Sequence, residues 1–215
     1  MRKPRKASIA LKQDILAVAE RLFKEYGYDQ TTMQMIADEL HIVQGTLTYH
    51  FQNKYKILFE VFKNLITNIE QYVHENLEEG HNHYLCCCAH AILFYRQILT
   101  CESNWRLFLR DDMTDFAIKN HEPFLKITYM SIMGDFRKAF TEDDLKMIVI
   151  VDYGARRQMN KKFMDGEITA DEYCRYYIYL MGLLSKLDEA TIERNIREAF
   201  AFADSHVPPS TYMLE

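Results

Sequence analysis

Helix breakers are scarce in this chain, with seven glycines and four prolines spread over 215 residues. A backbone so seldom interrupted favours long helices, because Gly and Pro are the residues a helix interior tolerates least. The apolar pattern agrees. In the stretch IALKQDILAVAERLFKEYG, residues Leu11, Ile15, Leu16, Ala19, Leu22, Phe23 and Tyr26 recur at helical spacing, with Ser8 expected as N-cap and Gly27 as the stop. A short helix after Thr32 buries Ile36, Ala37 and Leu40, and a tight turn at His41–Ile42 leads into a third helix with Leu47 and Phe51 as a buried i, i+4 pair. From Lys54 to about Glu79 a long helix carries Leu58, Val61, Phe62, Leu65 and Ile69 on one face, with Gly80 ending it. Further helices are expected at about 83–101, 103–112, 122–140, 142–164 and 170–186, and from a cap at Asp188 to near Ser205. Thr141 with Asp144 and Thr169 with Glu172 are expected to form capping boxes. No strand pattern or repeat is present. The fold class is all-α: an N-terminal three-helix helix-turn-helix domain over 1–53, joined by the long helix to a helical domain over 54–215.

Hydrophobic residues make up 48% and charged residues 27% of the chain, the balance of a globular protein. The basic N-terminus MRKPRKASIALKQD leads into no apolar stretch of the kind a secretory signal needs. The longest apolar run, YYIYLMGLL (Tyr176 to Leu184), is too short to span a bilayer. Five cysteines, three of them adjacent, do not make a disulfide framework, so reduced thiols and a cytoplasmic location are expected, with no membrane. The net charge of −5 is unevenly spread. Residues 1–56 hold nine basic and six acidic residues, leaving 17 of the 26 basic and 25 of the 31 acidic residues for the rest. A basic head on an acidic body suggests that only the head meets nucleic acid.

The segment VQGTLTYHFQNK (Val43 to Lys54) concentrates side chains that can touch a base or a phosphate. Gly45 lets a helix N-terminus approach DNA closely, where backbone N–H groups and the helix dipole favour phosphate. Gln44 can read adenine N6/N7 in the major groove, while Thr46 and Thr48 can meet a base edge or a thymine methyl. Lys54, a long-stemmed cation opening the next helix, suits a phosphate. Arg2, Lys3, Arg5 and Lys6 form an arm able to add phosphate or minor-groove contacts.

Read together, residues 15 to 58 resemble the N-terminal domain of the tetracycline-repressor (TetR) family. The shared pattern is Leu22-Phe23, Gly27, Thr31-Thr32, Ile36-Ala37, Gly45-Thr46-Leu47, Tyr49, His50-Phe51 and Lys54. The resemblance covers roughly 45 residues; the remainder matches only in length and helicity. It implies a homodimeric transcription factor, usually a repressor, which binds a palindromic double-stranded DNA operator and is released by a small-molecule inducer. Carried over by position, Gln44, Gly45, Thr46, Thr48, Tyr49 and His50 face DNA, Lys54 binds phosphate, and Thr32 caps the second helix beside the DNA backbone. Three positions depart from the pattern. His41 stands where the family prefers glycine, Val43 where it prefers a Ser/Thr cap, and Thr48 where a first tyrosine is common. The missing cap alone costs about 1 kcal/mol.

The body offers less specific signals. In HNHYLCCCAHA, the pairs Cys86/His90 and His83/Cys87 have i, i+4 spacing, which lets two side chains share a metal. Consecutive cysteines project about 100° apart on a helix, so core and loop packing is the default reading, and no metal or cofactor is assigned. Phe94, Tyr95, Trp105, Phe108, Phe116, Tyr129, Met133 and Tyr153 lie on helices that surround the effector in the resembled family. From these, Phe94, Trp105, Phe108, Tyr129, Met133 and Tyr153 are the candidates to line a pocket for an apolar or aromatic small molecule, with tyrosine hydroxyls orienting it. The run YYIYLMGLL is apolar all round, which calls for burial on both sides. By family analogy, a homodimer through 142–164 and 170–186 supplies the second side, the alternative being burial within one subunit.

No enzyme motif is present: the glycines are too widely spaced for a Walker A or GxGxxG loop, and neither HExxH nor GxSxG occurs. Two function classes remain. One is a ligand-responsive DNA-binding regulator. The alternative is an all-helical small-molecule or metal-binding protein whose head has lost DNA binding through the changes at His41, Val43 and Thr48.

Overall fold

The computed structural model describes residues 4–78 and 80–208, with the side chains of 4–7 and 111–121 outside the description. Among the described residues the protein is all-helical. The elements are α1 (Pro4–Tyr26), α2 (Met33–Glu39), α3 (Gln44–His50), α4 (Lys54–Asn76), α5 (His83–Leu99), α6 (Glu102–Phe108), α7 (Asp111–Asp135), α8 (Glu142–Met164), α9 (Ala170–Leu184) and α10 (Glu189–Ser205). Two compact units divide after Thr67, inside α4, so the first turns of that helix belong to the amino-terminal unit. The expected boundary at 53/54 lies at the first residue of the same helix.

In the amino-terminal unit, Ile15, Ala19, Leu22, Phe23, Ile36, Ala37, Leu47, Phe51, Ile57 and Leu58 form the core. Gly27 adopts φ +80°, a left-handed conformation that ends α1 and that a Cβ disfavours. Thr31 Oγ1 lies 3.0 Å from Leu22 O and 2.9 Å from Gly27 O and shares its one proton between them, tying the loop back to the last turns of α1. Thr31 is fully buried, so one hydroxyl closes the end of α1 and places Thr32 to start α2.

The body is built around α5, whose Tyr84, Cys88, Ala89, Ile92 and Ile98 are buried, packed by α7, α9 and α10. Arg96 ties three of these helices at their edge, reaching Asp171 at 2.8 Å and Asp204 at 2.7 Å. Helices α5, α9 and α10 meet closely at Gly182, where a Cβ would fall 2.5 Å from Tyr84 Oη and 2.7 Å from Ile192 Cγ1. Both expected capping boxes are formed, Thr141 with Asp144 and Thr169 with Glu172, and Asp188 caps α10. No single helix among the described residues is long and apolar enough to cross a membrane.

Several boundaries differ from the sequence expectation. Ser8 is not an N-cap, because α1 already begins at Pro4, where proline's fixed φ suits a first turn. Helix α4 stops at Asn76, whose side chain donates back to Tyr72 O at 2.8 Å; the expected end at Glu79 lies outside the described residues. The helix expected to run over 103–112 closes at Phe108. Helix α7 begins at Asp111 rather than 122 and runs through Pro123. Proline usually marks a first turn from sequence, but here the helix continues without the bond that residue cannot donate. It ends at Asp135, not 140, because Arg137 turns left-handed (φ 51°) and Lys138 N donates to Met133 O at 2.8 Å.

Candidate nucleic-acid interface

The turn between α2 and α3 is fixed by backbone geometry. Thr32 Oγ1 accepts from Met35 N at 3.1 Å and caps α2, as expected. His41 takes φ 54°, His41 N donates to Asp38 O, and Ile42 N donates to Ala37 O. This position is therefore left-handed, and histidine occupies it at a cost glycine would avoid. Val43 stands at the N-cap of α3 and makes no side-chain cap bond.

Helix α3 buries only Leu47, followed by Phe51 at its C-cap. Gln44, Gly45, Thr48 and Tyr49 are exposed, and Thr46 and His50 are half-buried at the flanks. Tyr49, 84% exposed, is held edge-on to the His50 ring at 5.3 Å. Thr48 donates its hydroxyl to Gln44 O at 3.0 Å, which leaves the oxygen lone pairs facing outward. A Cβ placed on Gly45 would meet nothing within 4 Å. Glycine in a helix costs about 1 kcal/mol relative to alanine, and nothing in the described fold requires it there.

Lys54 does something the sequence did not indicate. Its ammonium donates to the carbonyls of Tyr28, Asp29 and Thr31, the last at 2.7 Å, and lies 4.2 Å from the centroid of the Tyr28 ring. It clamps the α1–α2 loop to the start of α4. Of the basic arm, Arg2 and Lys3 lie outside the described residues, as do the side chains of Arg5 and Lys6.

A second polar constellation lies inside the body. Tyr129 Oη donates to Asp152 Oδ2 at 2.7 Å, and Arg156 Nη2 pairs with Asp152 Oδ1 at 2.5 Å. The Arg156 guanidinium lies over the rings of Tyr153 at 4.6 Å and Tyr177 at 5.4 Å. Burial opposes the charge on Arg156, but Tyr177 and Asp152 more than offset it and hold its pKa above the ordinary value. Burial raises the Tyr129 and Tyr177 phenols well above theirs, so both stay protonated donors. Tyr153 Oη and Arg156 Nε are buried without a well-aligned hydrogen-bond partner. Buried polar groups of this kind are uncommon in a folded protein.

Of the residues expected around an effector, Tyr129 and Tyr153 belong to this constellation. Phe94 and Phe108 meet at 5.4 Å, both touch Tyr95, and Tyr95 continues to Tyr177 at 5.2 Å. Trp105 joins through Phe163 at 5.8 Å, and Met133 is buried one turn along α7 from Tyr129. The side chain of Phe116 lies outside the described residues. Sequence reasoning missed Asp152 and Arg156. Their signal was an acid and a base at i, i+4 beside the apolar run IVIV, on a helix face whose other members are buried.

The His/Cys segment is engaged differently from either expected pair. His83 meets Asp135 at 2.9 Å, His90 stacks on Phe94, and Cys88 is buried. Burial pushes the Cys86 thiol up to about 11 and Cys87 to about 12, so neither is a reactive thiolate at neutral pH.

A basic unit in which a capped helix and a left-handed turn present an exposed polar helix defines a helix-turn-helix DNA-binding domain, here joined to an all-helical body. Residues 15–61 match the sequence model described as bacterial regulatory proteins, tetR family. The chain is 34% identical over 71 residues to the uncharacterized HTH-type transcriptional regulator YhgD of Bacillus subtilis (strain 168), covering 33% of this chain and 37% of that protein. It is 33% identical over 84 residues to the HTH-type transcriptional regulator HbdR of Aromatoleum sp. (strain CIB), covering 39% and 36%. These matches span little more than a third of either relative. Across the fold, the crystal structure of RolR in complex with resorcinol superposes with a TM-score of 0.61 at 14% identity, covering 95% of this chain and 98% of that one. A SmeT–triclosan complex superposes with a TM-score of 0.50 at 15% identity, covering 81% and 90%. The amino-terminal unit thus carries a tetR-family DNA-binding domain, and the chain as a whole shares its fold with RolR.

Proposed function

We infer that this protein is a homodimeric repressor that reads a palindromic operator through α3 and is released by a small aromatic effector. The observation that carries the DNA-reading part is the face of α3, with one buried residue, an exposed Gln44, Thr48 and Tyr49, and a glycine that no internal contact requires. Gln44, Thr46 and Thr48 reach base edges, while Gly45, Tyr49, His50 and the Thr32-capped start of α2 position the phosphate backbone. This favours the regulator over a protein whose head no longer binds DNA.

Dimerisation through α8 and α9 is supported by their outer faces. Met147, Ile150 and Val151 are exposed at helical spacing on α8, Ile150 by 72%, and Tyr176 and Leu183 are about half exposed on α9. The run YYIYLMGLL buries one side, at Ile178, Met181 and Gly182, and leaves the other for a partner. Two-fold pairing sets two reading helices on half-sites about 34–36 Å apart. The effector reading is supported by the orphan polar groups at Tyr153 and Arg156 beside a wall of aromatic rings. The resorcinol and triclosan of the RolR and SmeT complexes are both phenols. A phenol here accepts from Arg156 Nε and exchanges a hydrogen bond with Tyr153.

Selection of duplexes from a random library by the purified protein tests the reading. A two-fold symmetric site is expected, with Gln44→Ala relaxing one base position per half-site by about 1–3 kcal/mol and Ile150→Arg yielding monomers that select nothing. Enrichment of no symmetric site by the parent chain overturns it. Calorimetry of phenols with and without that site is expected to show affinity weakened about 5- to 150-fold by the DNA, the same factor by which the phenol weakens DNA binding.

A further inference from the structure

We propose that His74, His81 and Cys86 form a binding site for a zinc-class divalent cation, separate from the aromatic core. The three residues come from the last turn of α4, the following loop and the first turn of α5, and their ligand atoms lie within 4.8 Å of one another. Two imidazoles and a thiol that gives up its proton on binding are donors that zinc and its spectroscopic substitute cobalt accept, and three protein ligands leave a fourth position for water. Bond lengths of about 2.0–2.1 Å to nitrogen and 2.3 Å to sulfur put tetrahedral ligand atoms somewhat closer together than they stand here. His74 is exposed on the helix end and supplies the movement by a change of rotamer.

The second observation concerns His81. Its Nδ1 lies 2.6 Å from Glu78 O, and because a carbonyl only accepts, Nδ1 carries the proton. Nε2 therefore keeps its lone pair, and the ring orientation is set from behind, as the outer partners of metal-binding histidines do. The loop is held independently. Asn82 accepts from Leu85 N at 2.9 Å and donates to Asn195 on α10 at 3.0 Å, and Cys86 N donates to Asn82 O at 3.2 Å. Two carboxylates, Glu70 and Asp135, act on Cys86 electrostatically and favour a cation nearby. The i, i+4 pairs legible in the sequence join Cys86 to His90 and His83 to Cys87; the fold instead brings Cys86 to His74, which is twelve positions away.

The test is titration of the full chain with zinc against a chromophoric chelator, and with cobalt followed by its thiolate charge-transfer band. One ion per chain is expected, with the band present in the parent and in Cys87→Ser, and absent in Cys86→Ser. His74→Ala and His81→Ala are each expected to weaken zinc binding at least tenfold. His74 is exposed, so its variant reports on the site even if replacement of Cys86 disturbs the packing of α5. A parent that binds no stoichiometric ion, a band that survives in Cys86→Ser, or unchanged affinity in His74→Ala overturns the site. Phenol binding at Arg156 and DNA selection are independent of each of these results.

Discussion

The amino-terminal unit and the body place their polar chemistry on opposite sides of the surface. In the first, α3 points Gln44, Thr48 and Tyr49 outward and uses Leu47 alone to anchor itself. In the second, Tyr129, Asp152 and Arg156 are turned inward among aromatic rings, while the outer faces of α8 and α9 are apolar. Under the proposed function, the difference follows from the size of what each unit meets. A duplex is too large to enter a fold, so its readers stand on one short exposed helix, consecutive in sequence. A small molecule can be enclosed, and enclosure draws its contacts from several helices.

The sharpest way to break this contrast is to remove the buried cation. Arg156→Ala leaves the Asp152 carboxylate uncompensated and is expected to cost the body about 3–5 kcal/mol, while the amino-terminal unit keeps its stability. Calorimetric melting resolves the two. A loss below about 1 kcal/mol, the worth of a surface pair, would mean that the pair is solvated and the inward-facing site is misread.

Packing gives the next effect. Gly182→Ala places a methyl against Tyr84 Oη, with overpacking of about 1–3 kcal/mol set against a gain of up to about 1 kcal/mol in helix propensity. A net loss is expected. Tyr84→Phe removes the clashing oxygen, so the double variant should recover part of it, and strictly additive losses would place the strain elsewhere.

Lys54→Met separates two roles for one residue. As the clamp on the α1–α2 loop, Lys54 contributes about 1.5–3 kcal/mol at most, and its loss lowers the melting temperature of the amino-terminal unit. As a phosphate contact, its loss also lowers the log–log salt slope of DNA binding by about 0.9 per subunit. Reduced stability with an unchanged slope assigns it to the clamp alone.

His41→Gly is expected to stabilise slightly. Relief of a left-handed conformation contributes about 1–2 kcal/mol, and greater freedom of the unfolded chain removes about 0.4–1 kcal/mol of it. The smallest effect distinguishes the units by pH. Hydrogen bonds from Thr141, Thr169 and Thr191 hold the carboxyls of Asp144, Glu172 and Asp188 below their ordinary range. Folding therefore favours the ionised forms. Their contribution is complete above about pH 4, the unfolded carboxylate range, and is lost as pH falls through the lower folded values. In the amino-terminal unit, α2 is capped by the hydroxyl of Thr32 and α3 by no side chain, so acid is expected to weaken the body first.

What was legible in the sequence was whatever is local. Helix periodicity, the caps at Thr32, Thr141, Thr169 and Asp188, the stop at Gly27 and the exposed face of α3 all depend on residues within a few positions of one another, where spacing translates directly into geometry. Several boundaries were misplaced; at Ser8 this was because a residue suited to starting a helix need not start one when the chain on both sides is helical. The rest awaited the tertiary structure. Lys54 reaches carbonyls more than twenty positions earlier, Asp152 on α8 accepts from Tyr129 on α7, and His74 and His81 converge on Cys86 across a loop. No periodicity encodes such meetings, because they depend on how helices pack and not on how each one forms. The sequence by itself determined the helical class, the caps and the exposed polar face of α3; only packing decided the helix ends and which polar groups are enclosed together.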